Sequence, residues 1–378
     1  MSDTLKSGKY GVIIDDTSDI CRTEQVAVCL RYVVGGKTLQ SFVGFFETTS
    51  TKGEVFYALV KFIITSLCLR TEDIVGECFD GAANMSGKHN GLAARMKECS
   101  PRGIYVHCYA LRLNLARRSA LEKVEPLRNV LGILQSLHNF LASSPKRLAV
   151  LKNVQKNSDR ISLTLKSLSA TRWSCDWEAV KSVTEQLNDI CKALLVLSDS
   201  QDSDTYSASH GLLTAMCNFD FVLGLIVLKV ILSNIAALSR FLQGKTMDVI
   251  TARRNAELTI ATLLQIRTEK SFDALWSTAE KLSDQLRVTA RNSKITFREA
   301  KVQRKKPSRR LQALVGEVIN INTVNQTPHE HHRISTYYAS LDIVLTEMKS
   351  RFERNDQEVL CALGDIVLNE QPSQKTLS

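Results

Sequence analysis

Two aspartates, Asp15 and Asp80, stand where apolar, β-rich runs give way to small and polar residues: KYGVIID closes on Asp15, and IVGECF leads into DGAANMSG. A carboxylate placed where a strand runs out is held by rigid backbone on one side and open to solvent on the other, which is the geometry a metal-binding acid needs. Two such acids at neighbouring strand ends are the minimum for phosphoryl-transfer chemistry, in which two hard cations bridge an attacking and a leaving oxygen. Asp80-Gly81 also reads as an ordinary turn. Of the nearby acids, Asp16 is turned away from Asp15 by strand alternation, and Asp19 lies further along the chain. Lys88 and His89, just after the Asp80 turn, suit either phosphate contact at a helix start or plain solvation. His329-Glu330-His331-His332 offers transition-metal ligands, but adjacent positions rarely converge on one ion, so an exposed polar loop is expected there.

The elements that must position these acids follow from hydrophobic period. Residues 9–15, 25–34 and 38–46 alternate as strands, with Gly35-Gly36 as a two-residue hairpin turn between the last two. A helical pattern runs from Val55 to Cys68, a strand leads to Asp80, Lys88 to Cys99 suits a second helix, and Ile104 to His107 is a fifth strand. In the order β-β-β-α-β-α-β, a parallel first and fourth strand would bring the acids after both to one rim of the sheet.

After Cys108 helical period dominates. Tyr109 to Ala142 reads as one long helix with Pro126 near its middle, and 145–154, 177–197, 208–217, 219–242, 246–268, 270–290, 334–352 and 356–368 as further helices. The tail, 369–378, is polar and expected to fray. The pattern therefore changes at Cys108.

A hydrophobic content of 44% with 23% charged residues places the chain among ordinary globular proteins. The apolar run Phe219 to Leu228 is short for a membrane span and is expected to be a buried helix; no membrane partner is expected. The N-terminus lacks an apolar leader pattern, which implies an intracellular protein. Ten cysteines without a CxxC pair read as small apolar residues of a reducing compartment. Of the net charge of +10, the segment 291–310 carries +8. Its RKKPSRR core, with Lys305, Lys306, Arg309 and Arg310, suits DNA phosphate contact or nuclear import, and equally a solvated basic loop.

Four segments, IIDDTSDI, CFDGAANMSGKHNG, YVHCYALRLNLA and SATRWSCDWEAV, occur in the order seen in hAT-superfamily transposases and the host proteins derived from them. The chain most resembles the vertebrate branch that includes MYM-type zinc-finger proteins and the repressor of a protein kinase inhibitor. The resemblance implies an α/β fold, an RNase H-like mixed sheet with a large all-helical insertion. It implies a core at 9–175, a helical insertion at 176–333 that holds the basic segment 291–310, and C-terminal helices at 334–370 that return toward the core. It also implies that Asp15 and Asp80 are the first two acids of a DDE triad holding Mg²⁺, that Arg172 and Trp173 lie near DNA, where the indole would stack on a displaced base, and that the protein is nuclear. Three departures count against catalysis. Leu111 stands where the family pattern has a histidine, and a leucine cannot share a proton. His107, although adjacent, belongs to a different face. No late glutamate (Glu347, Glu353, Glu358 or Glu370) sits in the family's motif for the third acid, and the family's N-terminal zinc module and C-terminal dimerisation region find no counterpart. The expectation is a transposon-derived, nucleic-acid-associated protein with DNA and protein partners and a degenerate active site; the alternative is an active transposase.

Overall fold

The computed structural model describes residues 8–18, 23–79, 82–87, 89–156, 164–168, 174–244, 249–291, 295–300 and 326–352. The chain divides into two compact units. One comprises Met1–Leu115, Phe241–Arg254 and Arg351–Ser378; the other comprises Ala116–Arg240 and Asn255–Ser350. Residues 116–156, within the stretch that the resemblance assigns to the core, lie in the second of these units.

The first unit is built on five strands: β1 (Tyr10–Ser18), β2 (Glu24–Val34), β3 (Lys37–Thr48), β4 (Ile74–Phe79) and β5 (Ile104–His107), in the spatial order β3-β2-β1-β4-β5. β1, β2 and β3 form an antiparallel meander, while β4 runs parallel to β1 and β5 parallel to β4. Gly35 and Gly36 have φ of 56° and 76°, as the tight β2–β3 hairpin requires of both central residues. Along β1 and β2 every second residue is buried (Tyr10, Val12, Ile14; Val26, Val28, Leu30). That face packs with Phe56, Val60, Ile63 and Ile64 of α1 (Gly53–Ser66).

Ile74 and Phe79 both join this core, which a regular two-residue period forbids. A register shift resolves it: Tyr10 pairs with Ile74 but Gly11 with Gly76, so Val75 is an extra residue and the strand changes phase. The expected element order holds, with an added turn of helix, α2 (Ala83–Ser86). The next helix, α3 (Leu92–Cys99), starts later than expected because Gly91 serves as its N-cap.

The stretch 109–142 is two helices rather than one. α4 (Tyr109–Lys123) stops before α5 (Glu125–Ala142), whose first turn holds Pro126. Proline lacks the N–H that a helix interior needs but fits a first turn, so it starts a helix here. The remaining helices are α6 (Pro145–Lys156), α7 (Ser174–Glu185), α8 (Leu187–Leu197), α9 (Ser203–Met216), α10 (Phe219–Leu242), α11 (Val249–Ile266), α12 (Glu269–Ala290) and α13 (Pro328–His332). A π-helical stretch, Arg333–Tyr338, joins α13 to α14 (Ala339–Phe352). The expected helix at 356–368 lies outside the described residues.

Two expectations are corrected. α10 is long and apolar enough to cross a membrane by length and composition, beyond what Phe219–Leu228 alone indicates. Yet 67% of its apolar window is buried inside the protein, as in a core helix. The His329–His332 segment is not an exposed loop: the Thr327 side chain accepts a hydrogen bond from Glu330 N, Pro328 occupies the first turn, and His332 is buried.

Candidate functional site

Asp15 does not end its strand, since β1 continues to Ser18. What ends there is the parallel ladder: the last β1–β4 pair is Ile13 with Cys78, while Asp15 still pairs with Ala27 of β2. The aspartate is therefore held by backbone on one side and has passed the ladder on the other. It follows Gly11 and Ile13 on the face opposite the buried Val12 and Ile14. Its side chain reaches solvent, yet the carboxyl is pushed above its usual range, first by the loss of water around it and second by Asp16.

Two thiols lie close to that carboxyl. Cys78, near the end of β4, hydrogen-bonds Cys108, the residue just before α4, and the charge of Asp15 acts on both. The Cys108 amide donates to Phe79 O at 3.3 Å, which ties the start of α4 to the end of β4. The two thiols are shifted in opposite directions. Cys108 is lowered to about 7, because it accepts from the Cys78 thiol and then from the amides of Leu111 and Ala110. Cys78, the donor, is pushed well up. Sequence reasoning missed this pair and also Cys191 with Cys217, which are hydrogen-bonded and buried in the helical unit. Only the fold discloses the first pair: Cys78 is the partner of Val106 in β4–β5, and Cys108 follows just past the end of β5.

Of the other predicted residues, Asp80, Arg172, Trp173, Lys305, Lys306, Arg309 and Arg310 lie outside the described residues, as do Glu353, Glu358 and Glu370. Glu347 belongs to the helical unit, where it accepts from Ser119 at 2.7 Å and pairs with Lys123 at 2.8 Å. Leu111 lies in the first turn of α4 and offers the site only its amide. His107 closes β5 opposite Phe79. Arg112 of the same motif is buried, donates to Arg351 O at 3.0 Å and lies 5.6 Å from the Tyr109 ring, so its role is in packing.

The donor set decides how well Mg²⁺ suits this rim. Magnesium asks for hard oxygen ligands in an octahedron. Asp15 is one such ligand, but the thiols that its charge reaches across the ladder, Cys78 and Cys108, offer sulfur, which favours soft metals. Among the described residues no group of three or more His, Cys, Asp or Glu is placed to hold a metal. The described residues do not form a magnesium site.

Residues 1–91, which take in β1 to β4, match the family DUF4371, described as ZMYM1/FAM200, RNase-like domain. The sheet is thus RNase-like. The chain is 27% identical over 301 residues to the 52 kDa repressor of the inhibitor of the protein kinase of Homo sapiens, a match covering 74% of this chain and 38% of that protein. It is 28% identical over 305 residues to the Mus musculus protein of the same name, covering 74% and 39%. The chain spans less than two-fifths of the length of these relatives. Their similarity extends well past the RNase-like match, so it includes much of the helical unit.

Proposed function

We propose that this chain is a transposon-derived protein of hAT type that keeps the RNase H-like scaffold, is not competent for strand transfer, and serves as a nuclear, nucleic-acid-associated module. The observation that carries the reading is the sulfur environment of Asp15. A carboxylate with a thiol pair on the neighbouring part of the rim, Cys78 standing opposite Ile13, and with leucine at the position where the resemblance calls for histidine, is poorly suited to two-metal phosphoryl transfer. A scaffold survives such losses because the core of the sheet lies on its other face.

In this reading Asp15 and Asp80 are the remnants of the DDE acids; Arg172 and Trp173 flank the nucleic acid, and Lys305, Lys306, Arg309 and Arg310 contact phosphate. Protein partners belong to this reading alongside DNA. DNA nicking and strand transfer are measured with Mg²⁺ on the wild type, Asp15→Asn and Asp80→Asn. Equal, background rates are expected, and wild-type activity above both variants overturns the reading in favour of an active transposase. In parallel, DNA affinity is measured against salt. Neutralising the four basic residues to glutamine should flatten the slope of log affinity on log salt by about 3–4, close to 0.9 for each phosphate left without its cation. An unchanged slope removes the basic segment from the interface.

A further inference from the structure

The helical unit carries an open pocket of about 940 Å³, lined by α5, α9, the start of α10, Arg298 and the α13–α14 segment. Its volume lies at the upper end of the range usual for small-molecule sites. All of its lining residues belong to that one unit.

Three features of the wall bear on a ligand. Gly132 on α5 and Gly211 on α9 both line the space, and a Cβ added at either meets nothing within 4 Å. Both glycines are exposed, so this part of the wall is the open mouth of the pocket. His332, buried at 4% exposure, lines the cavity with Nδ1 3.3 Å from Thr336 Oγ1 and Nε2 3.1 Å from Asp220 Oδ1. That last approach is not a well-formed hydrogen bond, and both atoms are shut off from solvent. The wall on this side is the π-helical stretch, which contributes Ser335 and Thr336. Such stretches are rare and concentrate at functional sites.

Charge selects the ligand. Lys123 is engaged by Glu347, and Asp220 faces His332. That leaves Arg128 and Arg298 against the single carboxylate of Glu125. Arg128 donates to the main-chain oxygen of Glu122 at 3.2 Å, which fixes the side chain without neutralising it. The main chain of Arg298 is clamped by Cys217 O at 3.0 Å and Phe219 N at 2.9 Å, and its guanidinium has no ion-pair partner among the described residues. The positive end of α10, capped by the Asn218 side chain, opens on the same space. Ile133, Leu212 and Ile343 supply apolar wall. We propose that this cavity binds a small organic anion, its apolar body against those three residues and its phosphate or carboxylate group between Arg128 and Arg298.

The test uses the whole chain and the fluorescent anion 8-anilinonaphthalene-1-sulfonate, displaced in turn by 1-naphthyl phosphate, 1-naphthoate and uncharged 1-naphthol. Both anions should displace the dye at least tenfold more tightly than 1-naphthol, and that advantage should vanish in Arg128→Ala/Arg298→Ala. Gly132→Leu and Gly211→Leu, placed on two different helices so that at least one retains the wild-type circular dichroism, should each weaken dye binding at least tenfold. A phosphate preferred over the carboxylate assigns a phosphorylated ligand, and the reverse assigns a carboxylic acid. Equal displacement by 1-naphthol, or dye binding unaltered in a folded glycine variant, overturns the proposal. None of these outcomes depends on DNA binding or strand transfer.

Discussion

The two units handle buried polar groups and space in opposite ways. In the sheet unit Glu77 is buried without a cation and meets Ser100 Oγ at 2.6 Å, so desolvation raises it to about 6. In the helical unit the buried Asp176 is met by the guanidinium of Arg117. A similar contrast holds between one glycine of each unit, Gly53 and Gly132. A Cβ at Gly53, where α1 begins, would lie 2.8 Å from Asn84 O and closer still to Asn90 O, whereas one at Gly132 enters open space. The sheet positions its groups by crowding them; the helical unit pairs its charges and keeps room. Since two such units need not unfold together, each prediction is best read from the hydrogen exchange of amides in its own unit.

The largest effect is expected at the buried pair. Asp176→Ala removes a carboxylate from a guanidinium whose side chain is only 6% exposed and should lower the stability of the helical unit by about 3–5 kcal/mol. A loss below about 1 kcal/mol would show that the pair is not what keeps this charge buried, and the contrast with Glu77 would fail.

Gly53→Ala comes next, with a loss of about 1–3 kcal/mol in the sheet unit from overpacking against main-chain oxygens that cannot yield as a side chain can. The sign is informative, because glycine to alanine in a helix is ordinarily a gain. Unchanged or increased protection would mean that the turn after α2 moves freely.

Glu77 provides a pH-dependent test. Its folded value, about 6, lies above its ordinary value of 4.5, so the folded state holds the proton more tightly. Its contribution is complete below pH 4.5 and is lost as pH rises through about 6, amounting to roughly 2 kcal/mol at 1.36 kcal/mol per pH unit. Glu77→Gln should remove that slope from the sheet unit while leaving the helical unit's pH profile unchanged. A variant that tracks the wild type from pH 4 to 7 would place the titration elsewhere.

How far the sequence discloses this molecule depends on the range of the forces involved. The strands are legible because burial of one face imposes a two-residue period, and the Gly35-Gly36 turn allows only one pairing of β2 with β3. The parallel β1–β4 neighbourhood follows from element order. The extra residue at Val75 is not legible: it can be seen only once Ile74 and Phe79 are known to share a core. Pro126 marks a helix boundary as readily as a kink, and local pattern does not choose between them. At the candidate site, Asp15 stands out by type and position. The thiol pair beside it does not, because Cys78 and Cys108 are brought together by two strand pairings rather than by spacing. His332 is read as a loop residue until Asp220, more than a hundred positions away, is seen facing it. A cavity is the least legible feature, being the absence of side chains from several helices at once.

The smallest effect is the one that separates the two units most cleanly. Gly132 lies inside α5, with no backbone strain that demands glycine, and an added methyl group meets no neighbour. Alanine there restricts the unfolded chain and favours helix, so Gly132→Ala should stabilise the helical unit by about 0.5–1 kcal/mol. The methyl group is too small to occupy much of the cavity, so binding of the anionic probe should survive where Gly132→Leu abolishes it. Stabilisation with retained binding would mean that the space is kept at a cost in helix stability, as a binding cavity requires. Destabilisation by alanine would mean that the neighbouring helices close on this position, and the contrast with Gly53 would then be one of degree.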